Sequence, residues 1–434
     1  MPVRLRSAST NFTEEFGKFL HAKRDVKVDV EEVVSDILKD VRVHGDEALF
    51  KYTSSFDRCK LTPNNVRISS KETETAVKKC DKQQIDALLL AAKRIHAFHT
   101  KQFPKDLAYE DDDGVHLGLK WNPIDAVGLY VPGGLASYPS SVLMNSIPAK
   151  VAGVPRLVMV VPAPDGIINP LVLAAASIGG VDEIYKVGGA QAIGALAYGC
   201  NCIQPVDKIV GPGNSYVAEA KRQVFGVVGI DMIAGPSEIL IVADNKNDPS
   251  WIAADLLAQA EHDETAQAIL ITDDKEFASQ VCEAIDNQLL GLPRKEIASK
   301  SWERFGAVII LETMDEVAEL VNRMSPEHLE IAIDEPNILA SKIRNAGAIF
   351  IGRYTPEALG DYIGGPNHVL PTGRSARFSS GLGVFDFLKR TTFLEASAHS
   401  IKSIGPAAVI LAEAEGLEAH AVSVSLRLSE MDSE

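Results

Sequence analysis

Four short stretches of the chain carry side chains that could do chemistry. SPEHLE (325–330) sets Glu327 beside His328. An adjacent carboxylate and imidazole offer a base poised near neutral pH with a second acid–base group next to it; a solvated turn with an incidental histidine is the competing reading. In AADLLAQAEHDETAQ (253–267), a helical pattern, Gln259 and His262 stand three residues apart. That spacing puts them on one helix face, about 5–6 Å apart, where they could grip one metal ion or simply be ordinary surface. GDYIGGPNHVLPT (360–372) holds Asp361 and His368 in Gly-rich irregular chain, and AEAEGLEAHAVSV (412–424) holds Glu415 and His420. The histidines at 21, 44, 96, 99, 116 and 399 lie in ordinary helical or turn contexts and receive no role.

A second group of residues concerns phosphate. VPGG (131–134), VGGAQAIG (187–194), VGPGN (210–214) and IAGPSE (233–238) each follow or precede an apolar run. Glycines let a diphosphate approach the backbone, and a following helix N-terminus supplies N–H donors. None of the four fits the strict G-x-G-x-x-G spacing, so each by itself also reads as a tight βα turn. Together they favour a nucleotide-sized ligand.

The elements that must position these residues show as a rhythm of short β-branched runs, turns and amphipathic stretches. AVGLYV (126–131), RLVMVV (156–161), EIYKV (183–187) and DKIV (207–210) are followed by ILIVAD (239–244), AQAILIT (266–272), AVIILE (307–312), LEIAI (329–333) and AIFIG (348–352). Alternation of this kind means βαβ units and parallel sheets, and so many strands divide into two α/β domains. The part before residue 120 reads as helical, with the acidic run 110–114 a solvated turn. Beyond Phe350 the chain is Gly-rich and irregular through Gly383, then ends in a helix (406–416) and a polar tail.

Composition bounds the function. The 434 residues carry 43 Lys+Arg against 59 Asp+Glu, a formal charge of −16. Nucleic acid and anionic membranes would be repelled unless a local basic patch intervened, and no such patch is present in the sequence. No apolar run reaches the roughly 18 residues a spanning helix needs. The N-terminus has no apolar segment of the secretory kind, and five scattered cysteines without a CxxC read as reduced thiols, so a cytoplasmic protein is expected. An anionic cofactor would have to be held by local backbone donors rather than by the overall field.

The blocks GLYVPGGLASYPSSVLMNSIPAKVAGV (128–154), VDKIVGPGNSYVAEAKRQVFG (206–226), IDMIAGPSEILIVAD (230–244), LLAQAEHDETAQAILIT (256–272), SPEHLEI (325–331) and GAIFIGRYTPEALGDYIGGPNHVLPT (347–372) resemble histidinol dehydrogenase, and the likeness runs from about residue 25 to the end. The resemblance implies an NAD- and zinc-dependent enzyme of histidine biosynthesis that oxidises L-histidinol to L-histidinaldehyde and then to L-histidine with two NAD+. It implies two incomplete Rossmann-like domains with helical N- and C-terminal extensions in an intertwined homodimer. On that reading residues 1–26 form an N-terminal arm, 27–129 with 239–381 one α/β domain, 130–238 the other, and 382–434 a tail that reaches the partner subunit. Carried over, the ligands of one Zn²⁺ per subunit fall on Gln259, His262, Asp361 and, from the other subunit, His420. The catalytic pair falls on Glu327 and His328. Substrate contacts fall on Ser237 and Glu415 together with the metal ligands and His328, and NAD contacts on Tyr130, Gln191 and Asn214, with His368 near the substrate. Val422 departs from the family, where Arg is common. The nearest competing function is a paralogous dehydrogenase of another small polar alcohol, such as a sulfonated diol; the carboxylate of Glu415 suits a cationic amine instead.

Overall fold

The computed structural model describes residues 2–22, 30–133 and 138–431. Gly134, the end of the VPGG turn, and the last residues of the expected N-terminal arm lie outside them. Two all-parallel sheets make the body. One has five strands in the order β6 (Glu183–Tyr185), β5 (Arg156–Val160), β4 (Ala126–Tyr130), β7 (Lys208–Val210), β8 (Gly229–Ile230). The other has six, in the order β1 (Val3–Arg6), β11 (Ala307–Ile310), β10 (Gln267–Thr272), β9 (Glu238–Ala243), β12 (His328–Ala332), β13 (Ala348–Ile351). β4 and β9 are buried along their whole length, as parallel strands covered by helices on both faces must be. Along β9, Ile239 and Ile241 enter one core and Leu240 and Val242 the opposite one, following the two-residue period of a strand. Two sheets with separate cores are what the count of apolar runs predicts.

The helices before residue 120 pack differently from the expected division. Helices Glu31–His44 and Asp46–Asp57 bury Val34, Leu38 and Leu49 against one face of the five-stranded sheet. Helix Lys82–Thr100 buries Leu88 and Ile95 in the core of the other face. The helices from residue 31 to residue 100 therefore share their cores with the five-stranded sheet rather than with the six-stranded one, because their apolar faces meet Leu143, Ile193 and Leu196. Val369, Leu382 and Phe387 join the same body. The N-terminal arm instead extends the six-stranded sheet, with β1 paired to β11 and Phe16 fully buried behind it.

Two further elements depart from the sequence reading. Residues 107–123 form an antiparallel hairpin, β2 (Leu107–Glu110) and β3 (His116–Pro123), whose turn is the acidic run and whose third strand is β14 (Leu388–Glu395). The polar tail is a second helix, Glu418–Met431, packed on helix Ala398–Ala414.

Candidate active site

A cleft of about 640 Å³ opens between the two sheets. The five-stranded body lines it with segments at the carboxyl ends of its strands, Pro132 and the turn Pro212–Ser215, where open α/β sheets ordinarily bind ligands. The six-stranded body does the reverse. Ser237, Glu327 and His328 stand at the amino ends of β9 and β12, so the two sheets meet the cleft with opposite ends.

β9 and β12 are hydrogen-bonded neighbours, with His328 beside Ile239. This pairing fixes the catalytic candidates. The ring N–H at Nδ1 of His328 donates to the carbonyl of Glu238 at 2.9 Å, and the backbone N–H of Glu238 donates to Glu327 Oε2 at 2.9 Å. A carbonyl can only accept, so this bond leaves the Nε2 lone pair unprotonated. Nε2 is buried without a hydrogen-bond partner, 3.9 Å from Asp361 Oδ1. Burial pushes the imidazole down to about 4 despite the attraction of Asp361, so it is neutral at neutral pH. Glu327 and His328 are 5% and 4% exposed, which replaces the solvated-turn reading with a walled site.

The helix carrying Gln259 runs Pro249–Ala260, started by Asp248, whose side chain accepts the N–H of Ser250. It stops before His262, earlier than the pattern through 267 suggests. Asp263 accepts both the N–H and the hydroxyl of Thr265, and this local turn competes with another helical round. His262 folds back so that Nδ1 lies 3.2 Å from Gln259 Nε2. Gln259 is fully buried and its Oε1 has no partner, while burial lowers the His262 pKa, keeping the ring neutral, against the raising effect of Asp361. An orphaned amide oxygen, a neutral imidazole and a carboxylate form a nitrogen–oxygen donor set that fits a zinc ion. Asp361 lies on the short helix Glu357–Tyr362, and its carbonyl accepts from His368 Nδ1 at 2.9 Å. His368 Nε2 meets the Ser141 hydroxyl at 3.2 Å, so this imidazole ties the two sheets' bodies together across the cleft.

Glu357 escaped the sequence reading. It is buried, its Oε1 lies 3.2 Å from His328 Nδ1, and with His328 and Asp361 it brings ligand atoms within 4.8 Å of one another, a second group able to hold a cation. Burial holds its carboxyl well above the usual range, as it does for Glu330. Glu330 was detectable as a charge inside a buried strand; Glu357 reads as an ordinary first-turn glutamate.

The cofactor candidates are arranged around one turn. Gly211 has φ +109°, and a Cβ there would lie 2.1 Å from the carbonyl oxygen of Tyr130. Asp231 accepts the Gly211 N–H, and the buried Lys221 ammonium holds both Asp231 and the Gly211 carbonyl. Asn214 caps helix Ser215–Val224 and faces the cleft. Tyr130 and Gln191 are buried behind it: the Tyr130 hydroxyl accepts the N–H of Gly189 at 3.1 Å, and Gln191 Oε1 is unpartnered. These are cradles a side chain would fill, as close approach of a dinucleotide requires.

Glu415 and His420 are not brought to the cleft within one chain. They lie exposed at the end of helix Ala398–Ala414 and in helix Glu418–Met431.

Comparison with known proteins bears on the whole chain. A family model described as histidinol dehydrogenase matches residues 20–428. The histidinol dehydrogenase of Rhodospirillum rubrum is 60% identical over 430 residues, 99% of either chain, and that of Rhizobium meliloti is 60% identical over 429 residues, again 99% of either. The crystal structure of histidinol dehydrogenase from Elizabethkingia anophelis superposes with a TM-score of 0.94 at 38% identity, covering 99% of both chains.

Proposed function

The chain belongs to the histidinol dehydrogenase family, and from that premise we propose that it oxidises L-histidinol to L-histidine through L-histidinaldehyde, consuming two NAD+. The observation that carries the reading is His328, whose Nδ1 is committed to a backbone carbonyl while Nε2 points, unpartnered, toward Asp361 in the cleft between the sheets. Identity near 60% over the whole chain does not favour a paralogue acting on a different alcohol.

Gln259, His262 and Asp361, completed by His420 of the partner subunit, are the residues that would hold zinc; Tyr130, Gln191 and Asn214 would serve NAD+. Zinc, when bound there, would supply a Lewis-acid anchor for the substrate, and NAD+ would be the hydride acceptor. Holding the reacting carbon in place removes much of the entropic barrier. His328 Nε2 accepts the hydroxyl proton of the alcohol in the first oxidation. The aldehyde stays in the cleft, and Glu327, beside His328 at the amino end of β12, takes a proton from water so that the hydrate forms. His328 acts again as base on the hydrate. Ser237 and the carboxylate of the partner's Glu415 contact the substrate, and the acidic group suits its ammonium. His368 holds the Asp361 backbone in position.

The test is an assay of NADH formation with histidinol as sole substrate. The expected result is about two NADH per histidinol with histidine as product; one NADH per histidinol, or none, would overturn it.

A further inference from the structure

Behind the Ser237 turn lies a second cavity of about 430 Å³ that the reaction does not use. Its walls are about equally polar and apolar, with Leu20, Ile239, Ile269 and Met324 on the apolar side, and Arg374 enters it from the segment after β13. Arg374 stands at φ +66°, a left-handed conformation uncommon for a residue with a Cβ. Its Nε is buried with no hydrogen-bond partner, and no carboxylate among the described residues pairs with its guanidinium. Two more guanidiniums stand close by. Arg377 donates Nε to the Arg374 carbonyl at 3.0 Å, and Arg323 lies over the Phe16 ring; both charges bear on Arg374. Arg374 as a whole is half-buried and Arg323 has Glu319 at 3.8 Å, but a buried N–H without an acceptor is costly, so the Nε of Arg374, facing a cavity, leaves a donor to be answered. The one carboxylate on the wall, Glu238, has its Oε1 engaged by the Gly373 N–H at 3.1 Å.

We propose that this cavity is a second ligand site, for a small organic anion with an apolar body whose carboxylate or phosphate oxygens pair with the Arg374 fork. A planar guanidinium receives such oxygens two at a time, and the side chains of Leu20, Ile239, Ile269 and Met324 take the apolar part of the molecule. The site shares a wall with the catalytic cleft. Gly235, which lines both cavities, donates its N–H to Thr372 Oγ1 at 2.6 Å, and Gly373 holds Glu238, whose carbonyl fixes His328. A ligand here therefore bears on the turn that carries Ser237.

The test titrates inorganic phosphate and, separately, isobutyrate into the zinc-loaded enzyme saturated with NAD+, so that the cofactor's own phosphate subsite is filled, against sodium chloride at equal ionic strength. One of the two anions should raise Tm saturably by about 2 °C or more, and the rise should vanish in Arg374→Gln. The same anion should slow modification of Arg374 by phenylglyoxal, read by peptide mass spectrometry, roughly threefold or more at saturation. A response to phosphate alone identifies a phosphate ester as ligand, and one to isobutyrate alone a carboxylate. Absence of saturation with both anions, or a rise retained in Arg374→Gln as binding to the zinc would give, overturns the proposal. Should that variant fail to fold, unchanged modification of Arg374 in the unaltered enzyme overturns it equally.

Discussion

His328 acquires its role from what occupies its other nitrogen. With Nδ1–H given to the Glu238 carbonyl and burial keeping the ring neutral, the proton-accepting atom is chosen by the backbone rather than by a neighbouring acid. His328→Asn keeps a donor near that carbonyl and removes the base. It should lower kcat for both histidinol and histidinaldehyde by about 10²–10⁴-fold, with zinc content by elemental analysis unchanged; wild-type turnover of either substrate would end the assignment. The buried carboxyls behind the site make a separate prediction. Asp255 is raised to about 6 by burial, and Glu330 beside it is raised as well. A carboxyl whose folded pKa exceeds its unfolded value of 3.8 binds protons more tightly in the native state, so its stabilising contribution is present below the unfolded pKa and is lost as pH rises through 6. Asp255→Asn should therefore raise Tm of the metal-stripped protein at pH 7.5 by an amount equivalent to at most about 3 kcal/mol, and at pH 4.5 by only about a third of that. Equal effects at both pH values in thermal unfolding would show that the carboxyl is not held protonated by the fold.

At the scale of elements, the site depends on strand ends and on one turn. The β12–β9 register places His328 and Glu327 together with the Glu238 backbone, and the Lys221–Asp231 pair shapes the turn after β7. Gly211→Ala would force a methyl into the Tyr130 carbonyl, so the turn must move. The expected outcome, from steady-state kinetics, is a rise in KM for NAD+ of about tenfold to a hundredfold with zinc content intact; an unchanged KM would remove this turn from the cofactor site. The same elements explain what could be read in the sequence. β4, β5, β9 and β10 were legible because strands buried on both faces are continuous apolar runs between turn signals. The hairpin β2–β3 was not: β2 is exposed along its length, and the partner that gives β3 its second neighbour, β14, arrives only after both domains have been built. Glu327 and His328 were legible as a polar pair at a strand entry, whereas nothing local marks Glu357, which meets His328 and Glu330 of β12 only once the chain has folded. The grouping of helices 31–100 failed for a related reason, since an amphipathic face does not say which sheet it will cover.

For the whole molecule, the question is what completes the cleft. Helices Ala398–Ala414 and Glu418–Met431 pack mainly on one another and touch the body through Ser400, bonded to the Gly114 carbonyl, and Ser403, bonded to Asp113. They expose Ile410, Leu411 and Leu426 at 61–65%, a run of apolar surface unusual on a helix pair that stays in water. On this pair sit Glu415 and His420, the two substrate- and metal-binding candidates missing from the cleft of their own chain. A twofold dimer in which each tail enters the other subunit would cover the apolar face and supply both residues. The arrangement has an arithmetic consequence. His420→Asn removes the ligand a subunit gives away, and Asp361→Ala removes one it keeps, so each homodimer should be inactive. In a mixed dimer, one cleft pairs an intact Asp361 with an intact His420 while the other lacks both. After unfolding and refolding an equimolar mixture, half the dimers are mixed and each has one working site of two, so about a quarter of wild-type activity should return. If subunit exchange is confirmed by mass spectrometry and activity stays at the level of the separate variants, the tail serves its own chain and the cleft must be completed by a movement within one subunit.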